Sequence, residues 1–206
     1  MKNLATMLKP LAMSVALLAI FTAAQSVAFA DTVTFSTLGC FGAGCTPSLT
    51  STAFGSGNAT VVFTNQPTTT VDTNTPSGFT AADLGTFTVG GTGTFSATPF
   101  VLVIQQTQPS SGSGTFTATL TGTLITNGSD ARIVFDQTSL FIGNVRYDLA
   151  NLTFGNTLFL DPNATGGITR LTALVSAPIP EPATMILLGT GLAGVAAAAR
   201  KRRKAA

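Results

Sequence analysis

The chain has 206 residues and a formal net charge of +2; 45% of it is hydrophobic, only 9% is charged, and it contains no His and no Trp. That length allows one domain of ordinary size between apolar ends. The positive charge sits at those ends, while residues 31–177 carry three Arg against seven Asp, a balance of −4 that excludes the basic footprint of a nucleic-acid binder.

Residues 1–30 have the three parts of a secretory signal peptide. Lys2 and Lys9 give a positive start, residues 11–21 (LAMSVALLAIF) an apolar run, and Ala28 and Ala30 the small residues before a cut at Asp31. Eleven apolar residues are too few to span a bilayer, which takes about 20. The mature chain is therefore expected to begin at Asp31.

The body, residues 31–177, reads as almost entirely β. Thr fills 32 of its positions, Gly 18 and Phe 13, and it has no Lys and no Glu. Strong helix formers are scarce, whereas Thr, Val, Ile and Phe suit a pleated, half-buried surface. Alternation predicts strands over residues 32–38, 60–64, 84–89, 94–97 and 100–106, with Pro99 bending or interrupting the chain between the last two. Residues 65–78 (NQPTTTVDTNTPSG) read as an exposed loop.

The clearest strand is residues 115–126. Phe116, Ala118, Leu120, Gly122 and Leu124 share one face, and Thr115, Thr117, Thr119, Thr121 and Thr123 the other. One buried and one wet face is the habit of an antiparallel sheet. Asn127-Gly128 turns the chain into a strand at 132–135. Strands at 140–142 and 145–149 flank a Gly143-Asn144 hairpin, and residues 152–160 contain two short runs broken at Gly155-Asn156. Asp161-Pro162-Asn163 turns the chain into a last strand at 168–175. Ten or eleven short strands and no helix imply an antiparallel β-sandwich or a jelly-roll-like barrel.

Cys40 and Cys45 are the only cysteines, separated by Phe-Gly-Ala-Gly. In an exported protein such a pair is expected to form a disulfide, and the glycines let the chain fold back far enough to close it. Two Cys and no His are too few for zinc. Asp72-Thr-Asn74 and Asp161-Pro-Asn163 could each offer calcium two ligands, but the dense carboxylate spacing of a calcium loop is missing. No metal and no cofactor are expected.

Without His, neither Ser-His-Asp nor Cys-His catalysis is available. An Asp-based hydrolase would need two of the seven Asp at the right separation. Asp83, Asp130, Asp136, Asp148 and Asp161 sit at turns and strand ends, where solvated loop carboxylates are the plainer reading. The body is expected to be non-enzymatic, with a carbohydrate-binding module as the alternative.

The tail begins Pro178-Ile179-Pro180-Glu181-Pro182 and continues through seventeen uncharged residues, 183–199 (ATMILLGTGLAGVAAAA). As a helix these would reach about 26 Å, at the lower edge of what can cross a bilayer as a single transmembrane span. Arg200, Lys201, Arg202, Arg203 and Lys204 follow and should stay on the cytoplasmic side. Glu181 is the only Glu in the chain, held between two prolines that keep the backbone extended.

This order, a Pro-Glu-Pro motif, a short Gly/Ala/Leu helix and a basic end over residues 179–205, resembles the PEP-CTERM sorting signal. The resemblance implies recognition by an exosortase, a membrane-embedded cysteine protease that cuts near the Pro-Glu-Pro. It also implies a precursor held transiently in the inner membrane, and then a cell-surface or extracellular-matrix location with exopolysaccharide as a partner. The Thr-rich, Gly-punctuated body, in residues 84–89 and 114–120, is similar in texture to extracellular domains carried with such tails.

Overall fold

The computed structural model describes residues 32–125, 128–160, 167–177, 189–192 and 194. The signal-peptide region with Ala28, Ala30 and Asp31, the Pro180-Glu181-Pro182 motif, Arg200 to Lys204, Asn127 and the Asp161-Pro162-Asn163 turn lie outside them, as does most of residues 183–199. Residues 189–192 and 194 are helical, and among the described residues no helix is long and apolar enough to cross a membrane.

The Thr- and Phe-rich body forms thirteen strands among the described residues. In chain order they are β1 (Thr32–Phe41), β2 (Thr52–Ser56), β3 (Ala59–Asn65), β4 (Thr69–Asp72), β5 (Thr80–Gly90), β6 (Gly93–Gln108) and β7 (Gly112–Ile125). Then come β8 (Gly128–Ser129), β9 (Arg132–Phe135), β10 (Ser139–Ile142), β11 (Val145–Ala150), β12 (Thr157–Phe159) and β13 (Ile168–Ser176). They pair, always antiparallel, into two sheets. The first runs β12-β9-β7-β6-β1-β4 with β8 beside β7, and the second β10-β11-β13-β5-β3-β2.

Alternation along β7 holds as expected: Phe116, Ala118, Leu120 and Leu124 are buried, while Thr115 and Thr117 are exposed. The inner faces of the two sheets share one core. Phe100 on β6 lies 5.1 Å from Phe63 on β3 and 5.2 Å from Phe87 on β5, ring centre to ring centre, and Phe35 on β1 meets Tyr147 on β11 edge-on at 5.8 Å. Seven Phe and Tyr147 are fully enclosed. At about 2–3 kcal/mol each relative to exposure, these rings account for much of the drive to fold.

A buried hydrogen-bonded link joins the two sheets at Tyr147. The Tyr147 hydroxyl donates to Gln106 Oε1 at 2.9 Å, and Gln106 Nε2 donates to the Ser110 carbonyl at 2.8 Å. Burial raises the Tyr147 phenol above its ordinary value of about 10. The folded state therefore keeps a proton that the unfolded chain releases, so stability is full below about pH 10 and falls above it. Tyr147 is the only Tyr, so its tyrosinate absorbance is an isolated signal. Urea titrations above about pH 10 should lose up to ~1.4 kcal/mol per pH unit, and Tyr147→Phe should remove that slope.

The structure departs from the sequence reading at four places. Pro99, expected to bend or interrupt the chain, does not end a strand but lies inside the sixteen-residue β6. Its carbonyl accepts from the Gly42 N–H at 2.8 Å, just beyond the last β1 pairing at Phe41, so its nitrogen faces an edge where no ladder bond is required. The bulge nearby falls between Phe95 and Thr98, with Ala97 at φ 35°. Residues 65–78 are not all loop, because Thr69–Asp72 forms edge strand β4 along β1, with Thr34 and Thr70 hydroxyls 2.8 Å apart. Thr52–Ser56, read as no element, is β2, joined to β3 by a tight turn at Gly57 (φ 63°). Of the two runs expected within 152–160 only β12 is a strand; Thr153 instead pairs back onto Thr157.

Beyond the end of β4, β1 stays paired with β6, and five consecutive residues, Thr37 to Phe41, are buried. The Thr37 hydroxyl donates to the Leu84 carbonyl and accepts from the Gln66 N–H, both at 2.8 Å. The Phe63 ring fits against Gly39 on one side and Gly85 on the other. A Cβ would come within 2.4 Å of the ring at Gly39 and 2.5 Å at Gly85.

Candidate functional site

The described carboxylates are all engaged, each at its own place. Asp83 on β5 pairs with Arg170 on β13 at 3.0 Å, and Asp148 on β11 pairs with Arg146 on the same strand at 2.9 Å. Asp136 accepts the Thr117 hydroxyl at 2.5 Å, and Asp130 accepts the Thr123 N–H. The Asp72 carboxylate turns back onto the Asn74 N–H at 2.8 Å, an Asx turn. The Asp72 carboxylate weighed as a calcium ligand is thus turned onto the backbone N–H of Asn74. Among the described residues no three His, Cys, Asp or Glu side chains come together as a metal site.

Cys40 and Cys45 are joined, with Cα atoms 5.9 Å apart. The geometry follows from the intervening glycines. Gly42 (φ 99°) and Gly44 (φ 69°) adopt left-handed backbone that a larger residue resists, and the Cys45 N–H reaches the Gly42 carbonyl at 3.4 Å. The bridge pins the exposed segment after β1 to a buried strand end.

Four Phe remain outside the core: Phe79, Phe141, Phe154 and Phe159. Arg146 stacks over Phe141 at 5.9 Å. Phe154 and Phe159 lie together, 6.2 Å between centroids, at the β12 edge. The sequence carries no local signal for which Phe stay outside the core.

Pro-Glu-Pro, an uncharged stretch and a basic end, in that order after the body, mark a chain with a C-terminal sorting tag. The family model of the PEP-CTERM protein-sorting motif matches residues 178–203. The match takes in Pro180, Glu181 and Pro182, the whole uncharged stretch and Arg200, Lys201, Arg202 and Arg203, and stops one residue short of Lys204. This chain therefore carries a PEP-CTERM sorting signal, the mark of an exported protein handled by an exosortase. No curated protein and no solved structure matches the chain at a significant level.

Proposed function

We propose that this chain is a non-enzymatic protein of the cell envelope or extracellular matrix, delivered in three steps encoded at its ends. Residues 1–30 direct export and are removed before Asp31. Residues 183–199 then hold the precursor in the inner membrane as a single helix, with Arg200 to Lys204 inside. An exosortase-type protease cuts near Pro180-Glu181-Pro182 and frees the body to the surface or its matrix. The PEP-CTERM match at residues 178–203 is the observation that carries this reading.

The non-enzymatic character is supported by the chemistry of the body. It has no His, and its described carboxylates are committed to Arg, Thr and backbone partners in separate places. An Asp-based hydrolase draws no support from that arrangement. A carbohydrate-binding role within a matrix is favoured by one observation, the exposed Phe154–Phe159 pair.

Fractionation of a host expressing the chain with an epitope tag inside an exposed body loop tests the proposal. Wild-type body should collect at the surface or in the medium. Deletion of residues 178–206 should leave export intact and abolish the membrane-bound precursor. A deleted chain that still passes through a membrane-bound stage would rule out the tail as the sorting element.

A further inference from the structure

The geometry points to a binding site for neutral polysaccharide on the outer face of the first sheet, built from Phe154, Phe159, Arg132, Thr119 and Thr121. Thr153 and Thr157 exchange N–H···O=C bonds at 2.7 and 2.9 Å and close a three-residue turn of Phe154, Gly155 and Asn156. Asn156 fastens this turn to β9: its side-chain amide donates to the Phe135 carbonyl and its own carbonyl accepts the Phe135 N–H, both at 2.9 Å. Phe154 is held there at φ 51°, a left-handed backbone that Gly or Asn adopts with ease and a bulky aromatic does not. Its ring is 85% exposed, the most exposed large hydrophobic among the described residues. Burial does not explain a Phe at this position, and the backbone opposes it. An exposed, strained side chain on a fixed turn is the pattern of a ligand contact.

The neighbours identify the ligand. Pairing sets Phe159 beside Arg132 and Arg132 beside Thr121, and in the next row Val134 beside Thr119. Paired residues share a face, and Phe159 lies on the outer one, because Leu158 next to it is buried. The face thus offers two rings for the C–H surfaces of sugar rings, and hydroxyls that both donate and accept. Its charge is small. Asp130 and Asp136 are spent on Thr123 and Thr117, and Arg132 donates to the Asp130 carbonyl at 3.1 Å. The other body arginines, Arg146 and Arg170, are paired with Asp on the second sheet, so no cationic cluster is present to take an acidic polymer. Two rings also fall far short of the roughly 800 Å² that a stable protein partner covers on each side. A polymer that repeats a small contact suits them better.

This assignment rests on the body standing outside the cell, where such polymers are met, but its test does not depend on sorting. Full-length chain in a polyoxyethylene detergent, which has no sugar headgroup to compete, is run through native gels cast with hydroxyethyl cellulose, dextran or alginate. Retardation is expected in at least one neutral polymer and not in alginate alone. Phe154→Gly should weaken it at least tenfold while melting no lower than wild type, since Gly takes φ 51° freely. Phe79→Ala, an exposed Phe elsewhere, should leave it unchanged. No retardation by either neutral polymer, retardation by alginate only, or equal retardation of wild type and Phe154→Gly would each overturn the assignment. So would a halving of particle mass on Phe154→Gly, which would make the pair a contact between copies of this chain. A failure of export would show in cell fractions and leave the gel result untouched.

Discussion

Changing Glu181 to Ala is expected to leave the chain as an uncut precursor in the inner membrane, its body exported and folded. Glu181 is the only Glu in the sequence and stands between Pro180 and Pro182. Each proline fixes its own φ and disfavours helix in the residue before it, so the sequence is expected to offer an extended strip. Extended backbone is what a protease cleft accepts, and a lone carboxylate within it is a ready recognition point. A charge-assisted contact to that carboxylate contributes about 1.5–3 kcal/mol, so its loss should slow cleavage roughly 10- to 150-fold. The body keeps its own core in a separate unit, Ala30–Pro178, so the substitution should not move its melting temperature. Pulse-chase of tagged variants, read by membrane and medium fractions, measures the rate. Equal release from Glu181→Ala and wild type would mean that this carboxylate is not read, and the tail would then be a simple anchor.

Replacing Gly85 with Val should be the most damaging single change in the body. Gly85 sits in β5 at φ 137°, at the irregularity where β13 shifts register between Leu171 and Thr172. Its missing side chain makes room for Phe63: a Cβ would lie 2.5 Å from the ring and 2.6 Å from the Thr64 carbonyl oxygen. The ring cannot retreat, because Gly39 confines its other side with an equally close approach of 2.4 Å. Disfavoured backbone costs about 1–3 kcal/mol and overpacking a similar amount. A loss of about 3–5 kcal/mol follows, a large part of the 5–15 kcal/mol that stabilises a typical domain. Gly55→Ala, where the nearest atom to the new Cβ is 3.7 Å away, should stay within about 0.5 kcal/mol of wild type. Chemical denaturation of the three proteins decides it, and a Gly85→Val chain as stable as Gly55→Ala would refute the packing described at this corner.

These two sites differ in how far the sequence reveals them. Pro180, Glu181 and Pro182 act as a linear motif followed by a run whose length and flanking charge have fixed meanings, so they are readable without a fold. Cys40 and Cys45 are readable for the same reason: two thiols and two glycines within six residues close locally. The Thr alternation of β7 also reports its burial directly, because one face meets the core along its length. Gly39 and Gly85 are different. Their importance comes from a ring 24 positions from one and 22 from the other, which no local pattern announces. Pro99 was misleading because its effect depends on which edge its nitrogen faces, a property of the neighbouring strand. β4 escaped notice among Pro, Asn and Thr because an edge strand takes its order from one partner, here β1. Phe154 reads in sequence as another core aromatic, and only the turn that holds it outward says otherwise.

The most direct measurement is the intact mass of the chain recovered from the envelope and the medium of a host carrying an exosortase. The released form should begin at Asp31, end at or near Pro180-Glu181-Pro182, and retain the Cys40–Cys45 bond, while a membrane-bound form of longer mass still carries residues 183–206. A released form that keeps residues 183–206, or one whose mass is unchanged when the exosortase is deleted, would contradict sorting through this tail.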